Sequence, residues 1–221
     1  MRTKITTVLI TACFIFTSYC FAYERVNARG PMAIRNQSPL YLFYYFFPQD
    51  RADVVKQGKL DTAFDYTVSN VVVDKVTTPT EEYIVRMDME VERYNLGLKY
   101  GVLDRLEVGL EVPYISLSGG YLDSFVEEFE DLIGATPVGA RSRASKDQFN
   151  YNIQHNNRNL INTREEASGL GDIALCAKYM LVDEGDMGHM PRTSIRGAVK
   201  FPTADEDKYL GNGGVDYGLG V

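Results

Sequence analysis

The chain has 221 residues with 23 basic and 30 acidic side chains, and its net charge of −7 disfavours nucleic acid as a partner. Aromatic residues form 12% of it, as 15 Tyr and 11 Phe with no Trp. After residue 22 no apolar stretch reaches the roughly 20 residues that a transmembrane helix needs. If the remainder spans a membrane, it must do so as a closed sheet.

Residues 1–22 have the three-part pattern of a secretory signal peptide. Arg2 and Lys4 provide a basic start, an apolar run follows, and a Cys-Phe-Ala triplet ending at Ala22 resembles a cleavage site. The run is roughly 12 to 15 residues, too short for a membrane anchor. We expect cleavage after Ala22, which leaves 21 basic against 30 acidic residues and Cys176 as the only cysteine.

The next stretch, residues 23–58, is an N-terminal segment without clear periodicity. Within it a polar Arg-Asn-Gln-Ser sequence precedes the run Leu40 to Phe47, which is apolar on both faces. Such a run is either buried or a membrane strand. Two alternatives stay open: an extra strand at 40–47, or a segment packed inside a barrel lumen.

Residues 59–221 alternate between apolar and polar side chains, as strands do when one face meets lipid and the other a polar lumen. This pattern predicts an all-β fold, an antiparallel up-and-down transmembrane barrel with one short helix. Six alternating segments begin at Leu60, Tyr83, Leu106, Ile173, Ile195 and Val215. In the second segment the alternation reverses between Glu92 and Tyr94, which indicates either a β-bulge or a strand end above the membrane; we favour one long strand with a bulge.

The connections between these segments alternate in length, as outer-membrane barrels alternate short periplasmic turns with longer external loops. Residues 101–105 and 183–192 form connections that are each shorter than the connections before and after them. Residues 74–82, 119–168 and 203–213 form the others. The order is therefore consistent with a barrel whose longest external loop spans 119–168.

Charges of both signs lie on the polar sides of the predicted strands, and we expect them to face the lumen as a cross-strand ion-pair ladder. They are Asp61, Arg93, Lys99, Glu107, Glu111, Asp172, Lys178, Arg196 and Lys200. A secreted or periplasmic β-sandwich is the alternative fold, but its core could not bury so many charges. Stabilising the lumen is a simpler role for the ladder than selecting a solute.

The 119–168 loop contains one amphipathic stretch, from Leu122 to Gly134, that predicts a helix. It would act as a lid or constriction at the barrel mouth, or pack its apolar side on neighbouring loops. Residues 135–168 are polar and Asn-rich, which predicts a mobile surface loop.

Residues that carry catalysis or bind metals are scarce. His155 and His189 stand in no nucleophile or metal-ligand spacing, and the acidic turn 205–207 lacks the pattern of a calcium loop. Cys176 has no partner thiol. We therefore predict no enzyme activity, no catalytic residue, no cofactor and no metal site.

Five motifs carry a resemblance to a known family. They are GPMAIRNQSPL (30–40), LKYGVLDRLEVGLEVP (98–113), SGGYLD (118–123), GLGDI (169–173) and KFPT (200–203). The chain resembles the DUF3187 family of uncharacterised exported proteins from about residue 30 onward. The resemblance implies an outer-membrane barrel-like protein and transfers no catalytic residue.

The sequence thus predicts an outer-membrane protein in contact with lipid, a passive channel or transporter-like barrel for a small solute or lipid. The alternative is a non-transporting structural or adhesive envelope protein that displays residues 119–168. No protein partner is indicated. Six spans are fewer than the eight of the smallest such barrels, and the chain stops within an alternating segment. We therefore expect a truncated gene product.

Overall fold

The computed structural model describes residues 34–73, 83–135, 147–183 and 192–221. The predicted signal peptide lies outside these residues. None of the helices described there is long and apolar enough to cross a bilayer.

Two short helices and nine strands make up the described part of the chain. They are α1 (Pro39–Leu42), β1 (Leu60–Val73), β2 (Tyr83–Leu103), β3 (Leu106–Ser118), α2 (Leu122–Ile133), β4 (Asn150–His155), β5 (Arg158–Thr163), β6 (Ala167–Leu170), β7 (Ala174–Val182), β8 (Thr193–Lys200) and β9 (Asp216–Gly220). A 3₁₀ turn precedes β9.

All nine described strands belong to one antiparallel sheet, which forms a half-barrel. Its wall has the order β1-β2-β3-β7-β8-β9. The short strand β6 pairs with the last residues of β3, and β7 pairs with the first ones. The β4–β5 hairpin pairs with the first residues of β2. The all-β antiparallel prediction is confirmed to the extent of a half-barrel. A two-sheet sandwich is excluded for the described residues, because they form one sheet.

Strand β2 is continuous over 21 residues, as predicted, but the expected bulge near Glu92 is wrong. Its register with β1 runs unbroken from Tyr100 to Met87, and the irregularity lies at the β2–β3 turn instead. The alternation reverses because both faces of β2 change their surroundings. The inner face passes from buried Met89 and Val91 to Arg93, while the outer face passes from acidic to apolar side chains.

An apolar core occupies the inner face where β2, β3 and β4 meet. Met89, Leu117 and Tyr151 are buried there against Leu210, which follows the 3₁₀ turn. Side chains of α1 and of β1 pack around them. This end of the half-barrel is therefore built like an ordinary globular protein, with apolar residues inside.

The prediction of a mobile loop across 135–168 is wrong for its described part, because β4 and β5 form a hairpin there. Asn156 and Asn157 both have positive φ, at 47° and 63°, as a two-residue type I′ turn requires. Only Tyr151, Ile153 and Ile161 alternate as buried residues. Apart from the exposed Leu160, the remaining side chains are polar, which hid the hairpin from a hydrophobicity pattern.

The extra strand at 40–47 is also wrong. Pro39 begins the short helix α1 at a position where its missing N–H costs nothing, and residues 43–47 after α1 are not part of a strand. Residues 34–57 instead run along the inner face of the half-barrel. The alternative of a packed internal segment describes them.

Candidate functional site

The outer face of the half-barrel carries apolar side chains across six strands, and we call this surface the outer belt. Its members are Leu60, Phe64, Tyr66, Tyr94, Leu96, Leu98, Tyr100, Val108, Leu110, Val112, Tyr114, Leu175, Ala177, Tyr179, Ile195, Val199, Tyr217 and Leu219. The strand register aligns them in rows, and the central row runs through Leu98, Leu110, Leu175, Val199 and Tyr217.

Much of the outer belt is solvent-accessible in the isolated chain. Phe64 is 66% exposed and Leu219 is 86% exposed, at opposite ends of the strand order. Monomeric soluble proteins rarely expose contiguous apolar patches larger than a few hundred Å². An apolar surface of this extent over six strands is therefore unusual for a soluble monomer.

A row of three tyrosines marks one edge of the outer belt. Tyr66, Tyr94 and Tyr114 are neighbours on β1, β2 and β3, with ring centroids 4.8 and 6.2 Å apart. Beyond them the outer face becomes polar, and the Tyr66 hydroxyl donates to the carboxylate of Glu92 at 2.7 Å. The apolar surface thus ends at amphipathic rings with polar tips directed away from it.

The inner face collects the charges that the sequence predicted for a lumen. All nine residues except Asp172 lie on strands and share the inner face by alternation; Asp172 is buried just before β7. Two ion pairs form within the set, Lys178 with Glu107 at 3.0 Å and Lys200 with Asp172 at 2.8 Å. The other charges do not close a ladder among themselves.

Partners for Lys99, Glu111, Lys178 and Arg196 come from residues 34–57, which we call the inner segment. The carboxylate of Asp50 lies 2.7 Å from the ammonium of Lys99 and 2.9 Å from that of Lys178. Burial raises the pKa of Asp50, but the hydrogen bonds and charges of the two lysines outweigh burial, so the net pKa falls below its ordinary value. Asp50 is therefore a charged bridge between β2 and β7.

Further contacts of the inner segment follow the wall from β3 to β8. Arg35 forms an ion pair with Glu111 of β3, and the Val55 N–H donates to Glu107 at 2.7 Å. The guanidinium of Arg196 on β8 donates to the Pro48 carbonyl at 2.8 Å and lies 4.5 Å above the Phe47 ring. The inner segment is therefore bound to the wall at many points.

Lys200 is the most heavily coordinated cation of the described inner face. Its ammonium contacts the carboxylates of Asp172 and Asp216 at 2.8 and 2.9 Å and donates to the Phe43 carbonyl at 2.7 Å and to the Asn212 side chain at 2.8 Å. Four partners from different parts of the chain thus meet at one buried charge.

A glycine lets the inner segment approach β2. A Cβ at Gly101 would overlap the carbonyl oxygens of Val55 and Lys56, whereas one at Gly97 would make ordinary contacts only. Backbone hydrogen bonds at 2.8 and 3.0 Å join Gly101 to Gly58 and Lys59. The end of the inner segment is therefore fastened to the wall where β2 ends.

A cavity of about 240 Å³ remains between the inner segment and the wall. Charged side chains of both signs line it, among them Arg35, Arg93 and Glu111, together with aromatic residues of the segment such as Tyr45. Burial raises the pKa of Tyr45, and its hydroxyl lies 3.1 Å from the Cys176 sulfur. The cavity offers room for a small polar molecule or for water.

Sequence reasoning missed Asp50 and Arg35, because neither stands in an alternating segment. It also left Asp216 out of the predicted charges, although Asp216 lies on the polar side of the segment that begins at Val215. The strands β7 and β8 carry three inner cations and no inner acidic residue. This excess of positive charge indicated that acidic partners come from other parts of the chain. Of the histidines, His155 stacks on Tyr83 with centroids 4.3 Å apart, and His189 lies outside the described residues. No group of metal-binding side chains occurs in the described ranges.

The fold and these two surfaces define a class: an antiparallel half-barrel that is apolar outside and charged inside, with an internal N-terminal segment. The chain belongs to the family described as protein of unknown function (DUF3187), whose model matches residues 5–221. The recognised resemblance is thereby confirmed. No curated protein and no solved structure was found to match the chain.

Proposed function

We propose that the half-barrel is part of the wall of an outer-membrane β-barrel, with the outer belt in contact with lipid. The observation that carries this proposal is the outer belt itself, an exposed apolar surface over six strands with a tyrosine row at its edge. Transmembrane barrels have such an apolar band, flanked by aromatic girdles, around a polar interior.

The charged inner face supports the same proposal. In a membrane barrel the side chains alternate between lipid and lumen, so within the bilayer each strand carries its charges on the inner face. Lys178 and Arg196 are neighbours on the inner face, while their strand neighbours Tyr179 and Ile195 are exposed outside. Because the smallest such barrels use eight strands, closure requires strands that pair with β1 and β9. Export by the signal peptide in 1–22 is part of the proposal.

Substituting one exposed residue of the outer belt tests whether this surface contacts lipid. Leu175 on β7 is 49% exposed and Leu160 on β5 is 53% exposed, so a water-facing surface would accept lysine equally at both. A lysine near the bilayer midplane costs about 2–4 kcal/mol. We expect Leu175→Lys to lower the fraction that inserts into phosphatidylcholine vesicles, and Leu160→Lys to insert like the wild type. Equal behaviour of the two variants would contradict a lipid-facing wall.

For the role of the barrel we propose a passive route for a small solute or lipid, closed at rest by the inner segment. The second candidate is a non-transporting structural or adhesive envelope protein. The many bonds of the inner segment favour this second candidate, because a permanent filling needs no displacement.

Planar-bilayer conductance separates the two roles. Asp50→Asn removes the carboxylate shared by Lys99 and Lys178, which leaves two ammonium groups facing each other and loosens the inner segment. A closable route predicts rare stepwise currents for the wild type and more frequent ones for Asp50→Asn. If neither protein gives stepwise current after verified insertion, the chain is not a pore and the structural role is favoured.

A further inference from the structure

We infer that helix α2 lies in the membrane interface, with its aromatic side inserted into the bilayer beside the outer belt. This inference rests on the proposed lipid-facing wall and extends it to the connection after β3. The helix starts on the outer side of the sheet rather than inside the half-barrel, and the aromatic residues of its apolar side are exposed.

The start of α2 is fixed to the outer side of the sheet. The carboxylate of Glu90, which alternates with the outer face of β2, accepts hydrogen bonds from the backbone N–H groups of Tyr121 and Leu122 at 3.2 and 3.0 Å. An anion at a helix N-terminus is favourable. Gly120 has a φ of 76° and leaves no space for a Cβ beside Glu90. The helix therefore starts from the outer surface of the wall.

The polar side of α2 faces the protein. Asp123 is buried, accepts a hydrogen bond from the Asn70 amide at 2.6 Å and also accepts one from the Asp147 N–H at 2.9 Å. Glu127 and Glu130, one and two turns later, are half-buried. A helix on a water-soluble domain would show the opposite orientation, with its apolar side on the core.

The apolar side of α2 is left outside, as a stripe at helical spacing. Phe125 is 65% exposed, Phe129 is 52% exposed and Leu132 is 81% exposed. The helix ends at Gly134, whose φ of 69° is that of a left-handed C-cap. Over three turns, therefore, these apolar side chains of the helix are more than half exposed.

The stripe joins the edge of the outer belt, which identifies its occupant as lipid. Tyr121 begins the stripe, and its hydroxyl lies 3.3 Å from that of Tyr66 in the tyrosine row. Interfacial helices bury their apolar side to about 5–10 Å at the headgroup boundary. Because the other side of α2 is acidic, we expect apolar insertion to suffice, so that neutral phosphatidylcholine binds it without anionic lipid.

The absence of native Trp makes fluorescence a site-specific test. Three single-Trp variants of the full chain are inserted into phosphatidylcholine vesicles whose acyl chains carry bromine at a shallow or a deep position. Leu175→Trp reports on the outer belt, Phe129→Trp on the stripe, and Asp131→Trp on an exposed position of the same helix outside the stripe.

We expect deep bromines to quench Leu175→Trp most, shallow bromines to quench Phe129→Trp most, and neither to quench Asp131→Trp. If Leu175→Trp is quenched but Phe129→Trp is not, the interfacial helix is refuted and the wall stands. The interfacial helix would also be refuted if the Trp of Phe129→Trp were shielded from aqueous acrylamide but not quenched by bromine. In that case protein, and not lipid, would cover the stripe. If Leu175→Trp is not quenched, the wall itself fails.

Discussion

At the scale of single residues, the charges inside the half-barrel are held by partners that come from distant parts of the chain. Lys200 and Asp172 were both expected on the inner face, yet Asp216 and the Phe43 carbonyl, which complete the site, come from β9 and from the end of α1. Strand alternation predicts which face a charge occupies. It cannot predict which distant segment supplies the counter-charge.

Lys200→Met should destabilise the protein strongly, because Asp172 would remain buried as an uncompensated charge. Both side chains of this pair are only 4% exposed. Removing one partner of a buried ion pair costs about 3–5 kcal/mol. The free energy of unfolding, from urea titration in detergent micelles, measures the loss.

Lys208→Met is the matched control, since Lys208 pairs with Asp205 at 3.1 Å on the surface. An exposed pair contributes under about 1 kcal/mol. Similar losses for the two variants would show that the Lys200 site is as hydrated as the surface.

Acidification should loosen the inner segment through Asp50. Burial opposes its charge, but Lys99 and Lys178 lower its pKa below the ordinary 3.8. The unfolded chain thus binds the proton more readily, so the contribution of Asp50 is present above pH 3.8 and is lost as pH falls through the lowered pKa.

The measurement compares the unfolding free energy of the wild type and of Asp50→Asn between pH 2 and pH 5, as approximate limits around that value. We expect the wild type to lose more stability than the variant on acidification. Parallel curves would mean that Asp50 does not bridge the lysines in solution.

At the scale of elements, the wall strands were predictable and the connections were not. The strands β1, β3, β8 and β9 have apolar side chains on one face, and the resulting alternation in the sequence predicted them. The β4–β5 hairpin was not predicted because most of its exposed side chains are polar and only its Asn-Asn turn carried a signal. Helix α2 was predicted close to its observed bounds. Its amphipathic pattern does not indicate which side faces the protein, and the structure shows its aromatic side exposed.

Gly101→Ala should detach the end of the inner segment from β2. The added methyl group would overlap the backbone at Val55 and Lys56, and overpacking costs about 1–3 kcal/mol. We expect trypsin to cleave after Arg51 or Lys56 roughly 10-fold faster, following the tenfold change per 1.4 kcal/mol. Gly97→Ala, which meets only ordinary contacts, should be cleaved like the wild type.

An unchanged cleavage rate in Gly101→Ala would show that residues 55–57 are not held against β2. A rise in both glycine variants would point to a general loosening of the sheet rather than to this contact.

At the scale of the whole molecule, the alternation of β2 reverses where the apolar core is replaced by the charged interior. Up to Val91 its inner face belongs to an apolar core, and from Arg93 onward to a charged interior lined by the inner segment. Outside, the reversal coincides with the tyrosine row and with the start of α2. A strand that leaves a membrane for water would change its surroundings in this way.

The central claim, a wall in contact with lipid, is tested most directly by sucrose-gradient fractionation of cells that express the full-length protein, followed by electrophoresis with and without heating. We predict recovery with the outer membrane, resistance to extraction at high pH, and faster migration of the unheated sample. Recovery in the soluble periplasm, with identical migration in both samples, would contradict it.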